Sequence, residues 1–233
     1  MGLLIPLLAG WIFFGGVGTS LLTLYTFYRH FPQEFDGDFP TISHAASFDA
    51  TEPAFALGMG SVGLCVAVSW ILYCAYNRQH ITHSNAPHLH WYNRAGLLLG
   101  VTQGVSVFFM GVFSLRSGHD IHMAASYGAF ISGTLAILVD GLGTARWRLP
   151  DGGPSGGLRK LRRRLSVAVA VFGSVFLFMF VTKNSNPLGD YHLTRLVYGA
   201  SEILFSTASF SYAPLAGLEM LIAHRLAKAT SRA

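Results

Sequence analysis

The chain has 233 residues, of which 52% are hydrophobic and only 12% are charged. A soluble domain carries roughly 25% charged residues, so this composition excludes an ordinary water-soluble enzyme and indicates a protein whose solvent is the lipid bilayer. The net charge of +5 does not predict nucleic-acid binding. The basic residues cluster in short segments between apolar runs, where they report membrane topology instead.

Six apolar runs are long enough to cross a bilayer as helices, with polar segments between them. The first is too long for a signal-peptide core and has no basic segment before it, so we expect it to remain in the mature protein. No internal repeat and no soluble domain interrupts the series. Residues 1–233 are therefore predicted to form a single all-α polytopic membrane domain of six transmembrane helices. The predicted spans are 3–28, 53–76, 95–115, 120–143, 165–182 and 191–223.

The distribution of basic residues predicts the orientation of this bundle. Six spans place both termini on one side, and the loops 77–94 and 144–164 together with the C-terminal tail hold most of the 16 Lys and Arg residues. Positive residues mark the cytosolic side of a membrane protein. Both termini are therefore predicted to be cytosolic, with the acidic loop 29–52 facing away from the cytosol. The opposite side holds only Arg29, Arg116, Lys183 and Arg195.

A ridge of glycines runs along the predicted third span. Gly96, Gly100 and Gly104 repeat every four residues, and a surface without side chains lets another helix approach closely. The ridge predicts close helix packing. The neighbouring helix belongs either to this bundle or to another membrane-protein subunit, and the sequence leaves both open.

Ionisable residues enter the membrane on two predicted helices. On the fourth span, His119, His122 and Ser126 fall at spacings of three and four, so they share one helix face. On the sixth, Arg195 and Glu202 share a face in the same way. Charged groups inside a membrane are unfavourable and are a functional-site hypothesis by default. Glu202 is expected to be protonated, or paired with Arg195 or a histidine of the fourth span.

We hypothesise that these two faces meet at a polar cavity that opens to the non-cytosolic side and binds a lipid headgroup. His122 is the acid–base candidate, because the unperturbed pKa of imidazole lies near neutrality. Glu202 would orient it, and Arg195 would contact a phosphate. The alternative is a buried polar network that fixes helix packing without turnover. The predicted ligand-binding residues are His119, Asp120, His122, Arg195 and Glu202.

Other polar groups favour structural interpretations. Asp140 lies near the cytosolic end of its span, where Arg146 or water could satisfy it. His119 and His122, with Asp190 and His192, could form a metal site, but a lone His-x-x-His is a weak signal. No metal or cofactor is therefore predicted. No nucleophile elbow or phosphate loop is present, so the sequence contains no enzyme motif of its own. Whether the protein turns over a substrate stays open. Four loop histidines are interpreted as solvated or interfacial, namely His80, His83, His88 and His90.

Four short features carry a family resemblance. They are Phe-Pro-Thr-Ile-Ser at 39–43 with the later Ala54-Phe55, His122 near the start of the fourth span, Asn186-Pro187 with Asp190-Tyr191, and Ala-Ser-Glu at 200–202. In these features the chain resembles the six-span family that includes the damage-regulated autophagy modulators (DRAM) and the related factors that remodel the lipid of GPI anchors.

The resemblance implies an endomembrane protein, in the Golgi and ER or in the lysosome, that handles or remodels lipid, with a GPI-linked lipid among the candidates. Its expected partners are membrane lipids. Two alternatives accompany this interpretation. One is a non-enzymatic membrane adaptor that regulates autophagy or lipid distribution. The other is an accessory subunit of a larger membrane complex, docked through the ridge of Gly96, Gly100 and Gly104.

Overall fold

The computed structural model describes residues 4–35, 39–83, 89–146 and 156–230, and within them the chain is helical with no β-strand. Short 3-10 turns occur at Pro32–Phe35 and Lys183–Ser185. The α-helices are α1 (Leu4–His30), α2 (Ile42–Ala45), α3 (Glu52–His83), α4 (Leu89–Val112), α5 (His119–Arg146), α6 (Gly156–Thr182) and α7 (Tyr191–Thr230).

Five of these helices, α1, α3, α4, α5 and α6, are long and apolar enough to cross a membrane. With this composition, they make the chain an integral membrane protein. The sixth long helix, α7, carries Arg195, Glu202 and a series of serines, and these lower its hydropathy. Two of its serine hydroxyls donate within the helix, Ser201 to the Tyr198 carbonyl at 2.9 Å and Ser211 to the Thr207 carbonyl at 2.7 Å.

The glycine ridge of α4 packs against α3 of the same chain. A Cβ added at Gly104 would lie 2.4 Å from the backbone nitrogen of Ala67 and 2.7 Å from the Gly63 carbonyl oxygen. At Gly100, a Cβ would meet the ring of Trp70. The predicted close packing is therefore present, but its partner is a helix of this bundle.

The helices alternate in direction, so the connecting segments gather at two ends of the bundle. At one end, the loop after α1 contains α2, which is capped by the Thr41 side chain accepting from the His44 N–H at 3.1 Å. The predicted acidic loop 29–52 thus contains a short helix. Arg116, between α4 and α5, reaches the same loop through an exposed ion pair with Asp49 at 2.9 Å.

The opposite end of the bundle contains a buried charged cluster around Arg162. Its guanidinium, 2% exposed, donates to Asp140, Glu219 and the hydroxyl of Tyr73, and its Nε donates to the Tyr212 hydroxyl at 2.9 Å. Tyr212 in turn donates to Asp140. Asp140, which was expected to pair with Arg146 or water, pairs with Arg162. Arg162, which looked like one more basic residue of the loop 144–164, lies inside α6 and supplies the cation.

Candidate functional site

A cavity of about 340 Å³ lies at the end of the bundle that carries α2. It is enclosed by the segment around α2, the first three turns of α5, the last turns of α6 and the first three turns of α7. Rings form one wall, with Phe130 and Phe176 centred 4.2 Å apart and Tyr198 stacked on Phe176 at 5.5 Å. Polar side chains form the rest, namely Glu34, Thr41, Ser43, His44, His122, Ser126, Arg195 and Glu202.

Glu202 connects the first loop to α7 through hydrogen bonds. Its carboxylate accepts the N–H of Ile42 at 2.6 Å and the hydroxyl of Ser43 at 3.2 Å. The first N–H groups of a helix have no partner inside it, and a carboxylate there is doubly favourable because it also faces the positive end of the helix dipole. Gly199 assists, since a Cβ there would lie 2.6 Å from the Phe39 ring. The carboxylate therefore builds the cavity wall.

The orientation of His122 comes from the end of α4 rather than from Glu202. Its Nδ1 lies 2.6 Å from the Phe113 carbonyl oxygen and 3.1 Å from that of Met110. Carbonyl oxygens only accept hydrogen bonds, so Nδ1 carries the proton. In the neutral ring, Nε2 is then the acceptor, with its lone pair available. The expectation that Glu202 orients this imidazole is thus corrected.

Two polar atoms at the cavity have no hydrogen-bond partner within the part of the chain that the structure describes. They are Nε2 of His122, whose residue is 1% exposed, and Oγ of Ser126, whose residue is 2% exposed. A buried polar group without a partner costs roughly 1–3 kcal/mol. The two residues lie one helical turn apart on α5, so both groups border the same part of the cavity.

Arg195 contributes a cation to the cavity. Its Nε donates to the Tyr191 hydroxyl at 3.2 Å, and its guanidinium lies 5.3 Å from the centre of that ring. A guanidinium has five N–H donors, so this bond leaves most of its donors available to an anion. Partial burial and the nearby Arg195 lower the pKa of His44, which Glu34 opposes. The rim therefore favours a neutral His44.

The structure separates the predicted site residues into two groups. His122, Arg195 and Glu202 line one cavity. His119 and Asp120 are exposed at the start of α5 and do not border it. Sequence reasoning missed the contribution of the α2 segment and the roles of the Met110 and Phe113 carbonyls, because backbone acceptors leave no trace in residue type.

No group of three His, Cys, Asp or Glu side chains is arranged to hold a metal ion among the residues that the structure describes. The side chains of His80 and His83, and all of His88, lie outside those residues. Asp190 caps α7, accepting the Leu193 N–H at 2.9 Å.

A family model described as "Frag1/DRAM/Sfk1/Cwh43P N-terminal domain" matches residues 1–218. The chain belongs to this family. No curated protein and no solved structure matches the chain. The match spans all the residues that border the cavity, and it confirms the resemblance to the DRAM-like proteins.

Three of the four resemblance features of this Frag1/DRAM/Sfk1/Cwh43P member now have a common location. The 39–43 segment contacts Glu202 through the hydrogen bonds of Ile42 and Ser43. His122 borders the same cavity. The fourth feature forms the turn into α7, where Asn186 adopts a positive φ of 50° and its side-chain oxygen accepts from the Thr194 hydroxyl at 2.7 Å.

Proposed function

We propose that this protein handles membrane lipid by binding a polar headgroup in the cavity between α2, α5, α6 and α7. The observation that carries the proposal is the pair of buried, unpartnered groups on α5, His122 Nε2 and Ser126 Oγ. They border a cavity that is large enough for a ligand and also contains Arg195. Ligand sites typically occupy 300–1,000 Å³.

The geometry favours a headgroup with both hydroxyls and a negative charge. The neutral His122 ring presents an acceptor, which a ligand hydroxyl satisfies by donating. Ser126 can donate or accept. Arg195 presents N–H donors suited to a phosphate. The aromatic wall of Phe130, Phe176 and Tyr198 provides an apolar surface for the remainder of the ligand.

A GPI-linked lipid is the first candidate, since its headgroup combines phosphate with many hydroxyls. Family membership supports a role with lipid, and the resemblance to GPI-lipid remodelling factors supports this choice. If the ligand is remodelled, we assign His122 as the acid–base residue, because its Nε2 has no hydrogen-bond partner among the described residues and the residue lines the cavity.

We further propose that α7 is a sixth membrane span and that both termini are cytosolic. Its 40 residues extend about 60 Å as a helix, twice the thickness of the hydrocarbon core. The cavity would then open on the non-cytosolic side of an endomembrane, in the Golgi and ER or in the lysosome. Reporter fusions at the two ends and in the loop 31–51 test this orientation.

The headgroup proposal is tested by lipid mass spectrometry on the purified full chain. The wild type should co-purify with a phosphate-containing, hydroxyl-rich lipid. His122→Ala and Ser126→Ala should each reduce its amount per protein by several-fold, because each removes a polar contact worth about 1 kcal/mol.

The matched control is His119→Ala, three residues away on the same helix but exposed and outside the cavity. It should keep the lipid. If His122→Ala retains the same lipid in the same amount as His119→Ala, the cavity is not the binding site. A folded chain that carries no lipid in any variant would favour the non-enzymatic adaptor instead.

A further inference from the structure

The beginning of α6 presents a second polar recess, separate from the headgroup cavity and at the opposite end of the bundle. Lys160, Arg163 and Arg164 surround a recess of about 310 Å³ with Val167 at its apolar side. All four side chains are exposed. Arg162, in the same turn, points inward to Asp140 and Glu219, so the basic run is divided between the interior and this outer face.

The recess continues into an apolar stripe along the same helix face. Val167, Val171 and Phe178 follow at helical spacing and are 56%, 53% and 57% exposed. A helix face that bears cations at one end and exposed apolar side chains below them has the shape of a phospholipid, with a headgroup above and an acyl chain beneath.

The position of the basic side chains fits a bilayer boundary. Lys160, Arg163 and Arg164 directly precede the apolar segment 165–182, and basic side chains at the end of a span extend to the level of the lipid headgroups. None of Lys160, Arg163 and Arg164 forms an ion pair with the residues that the structure describes, and no carboxylate lines the recess. Three uncompensated cations in contact with the headgroup region attract anionic lipid.

We infer that the outer face of α6 binds an anionic phospholipid of the adjoining leaflet, with its phosphate against Arg163 and Arg164 and one acyl chain along Val167 and Val171. The site is independent of the headgroup cavity. By the topology proposed above, the adjoining leaflet is the cytosolic one, which carries the anionic lipids.

Native mass spectrometry of the full chain tests this inference. The protein is taken from nanodiscs of three parts phosphatidylcholine to one part phosphatidylserine. The wild type should retain phosphatidylserine in preference to phosphatidylcholine. Replacing Arg163 and Arg164 by Gln should weaken that preference by roughly 30-fold, since each basic residue near the surface contributes about a factor of five.

The matched control replaces Arg78 and Arg94 by Gln. Both are exposed on α3 and α4 at the same end of the bundle but outside the recess, so net charge changes equally and the preference should persist. Equal loss in both double variants would show a diffuse charge effect and overturn the site. His122→Ala should keep the phosphatidylserine preference, which separates this site from the headgroup cavity.

The source of the phosphate is decided by competition. Glycerol 3-phosphate at millimolar concentration should not displace phosphatidylserine, because it lacks the acyl chain that contacts Val167 and Val171. Full displacement by glycerol 3-phosphate, or an undiminished preference after Val167→Asp, would show a soluble phosphate site and contradict a lipid on this face.

Discussion

Each end of the bundle buries a set of polar side chains, but the two sets differ in how their polar atoms are hydrogen-bonded. Around Arg162, every nitrogen of the guanidinium has a partner, and two carboxylates and two tyrosines surround it. Around His122, there is open volume, and Nε2 and the Ser126 hydroxyl have no partner among the described residues. A fully paired guanidinium stabilises the fold, whereas under the proposed function the two unpartnered groups beside the cavity bind a ligand.

The largest expected effect on stability comes from removing the cation of the Arg162 cluster. Arg162→Leu leaves Asp140 and Glu219 buried without their cation, and breaking a buried pair in this way costs about 3–5 kcal/mol. The midpoint of thermal unfolding in detergent should fall steeply. Arg163→Leu is the control, because Arg163 is the exposed neighbour and should change the midpoint little. Similar unfolding midpoints for the two variants would show that the buried Arg162 contributes no more to stability than the exposed Arg163.

The next effect tests the wall of the cavity. Glu202→Ala removes the acceptor of the Ile42 N–H and the Ser43 hydroxyl and should cost about 1–3 kcal/mol. The loss should be local, so amide hydrogen exchange at Ile42 and Ser43 should accelerate while amides near Arg162 stay protected. Glu34→Gln, on the rim of the same cavity, should leave Ile42 protected. Uniform acceleration throughout the chain would contradict a local role.

A smaller effect of opposite sign is expected at Ser126. Its hydroxyl has no partner among the described residues, so Ser126→Ala removes a penalty and should leave stability unchanged or raise it by up to about 1 kcal/mol. The same substitution should reduce bound lipid, which is the stability–function trade-off expected of a binding residue. Thermal unfolding of delipidated protein measures the first part. A clear loss of stability would show that the Ser126 hydroxyl is hydrogen-bonded in the folded protein, as the Arg162 guanidinium is.

The smallest effect is a pH dependence at the rim. The pKa of His44 is lowered from its ordinary 6.5 by partial burial and by Arg195. Between the lowered pKa and 6.5 the unfolded chain binds more protons than the folded one, so stability rises with pH across that window and is lost on acidification. His44→Gln should flatten this slope in unfolding measured from pH 7 downward. An unchanged slope would exclude His44 as its source.

Helical periodicity allowed much of the cavity to be predicted. His122, Ser126, Arg195 and Glu202 were placed on two faces by their spacing alone, and the structure brings all four to one cavity. The contribution of the first loop was not predictable in this way. The Ile42 N–H reaches Glu202 across 160 residues, and no local pattern encodes a contact between a main-chain group and a distant carboxylate.

The burial of Arg162 carried a signal that was missed. Buried positions of α6 include 162, 166, 169, 173 and 176, a helical register that passes through Arg162 if the helix is extended backwards. The predicted span begins at residue 165, so the basic residues before it lie outside the segment in which helical spacing was used to predict burial. Its neighbours are equally basic, so residue type alone did not distinguish the buried arginine from the exposed ones.

The bond between Ile42 and Glu202 has a consequence for biosynthesis. The first loop emerges from the ribosome 160 residues before its anchor on α7. Chains elongate at roughly 5–20 residues per second, so the loop waits on the order of ten seconds for its carboxylate. Under the proposed function, a nascent chain that stops before α7 should insert the earlier helices without binding lipid.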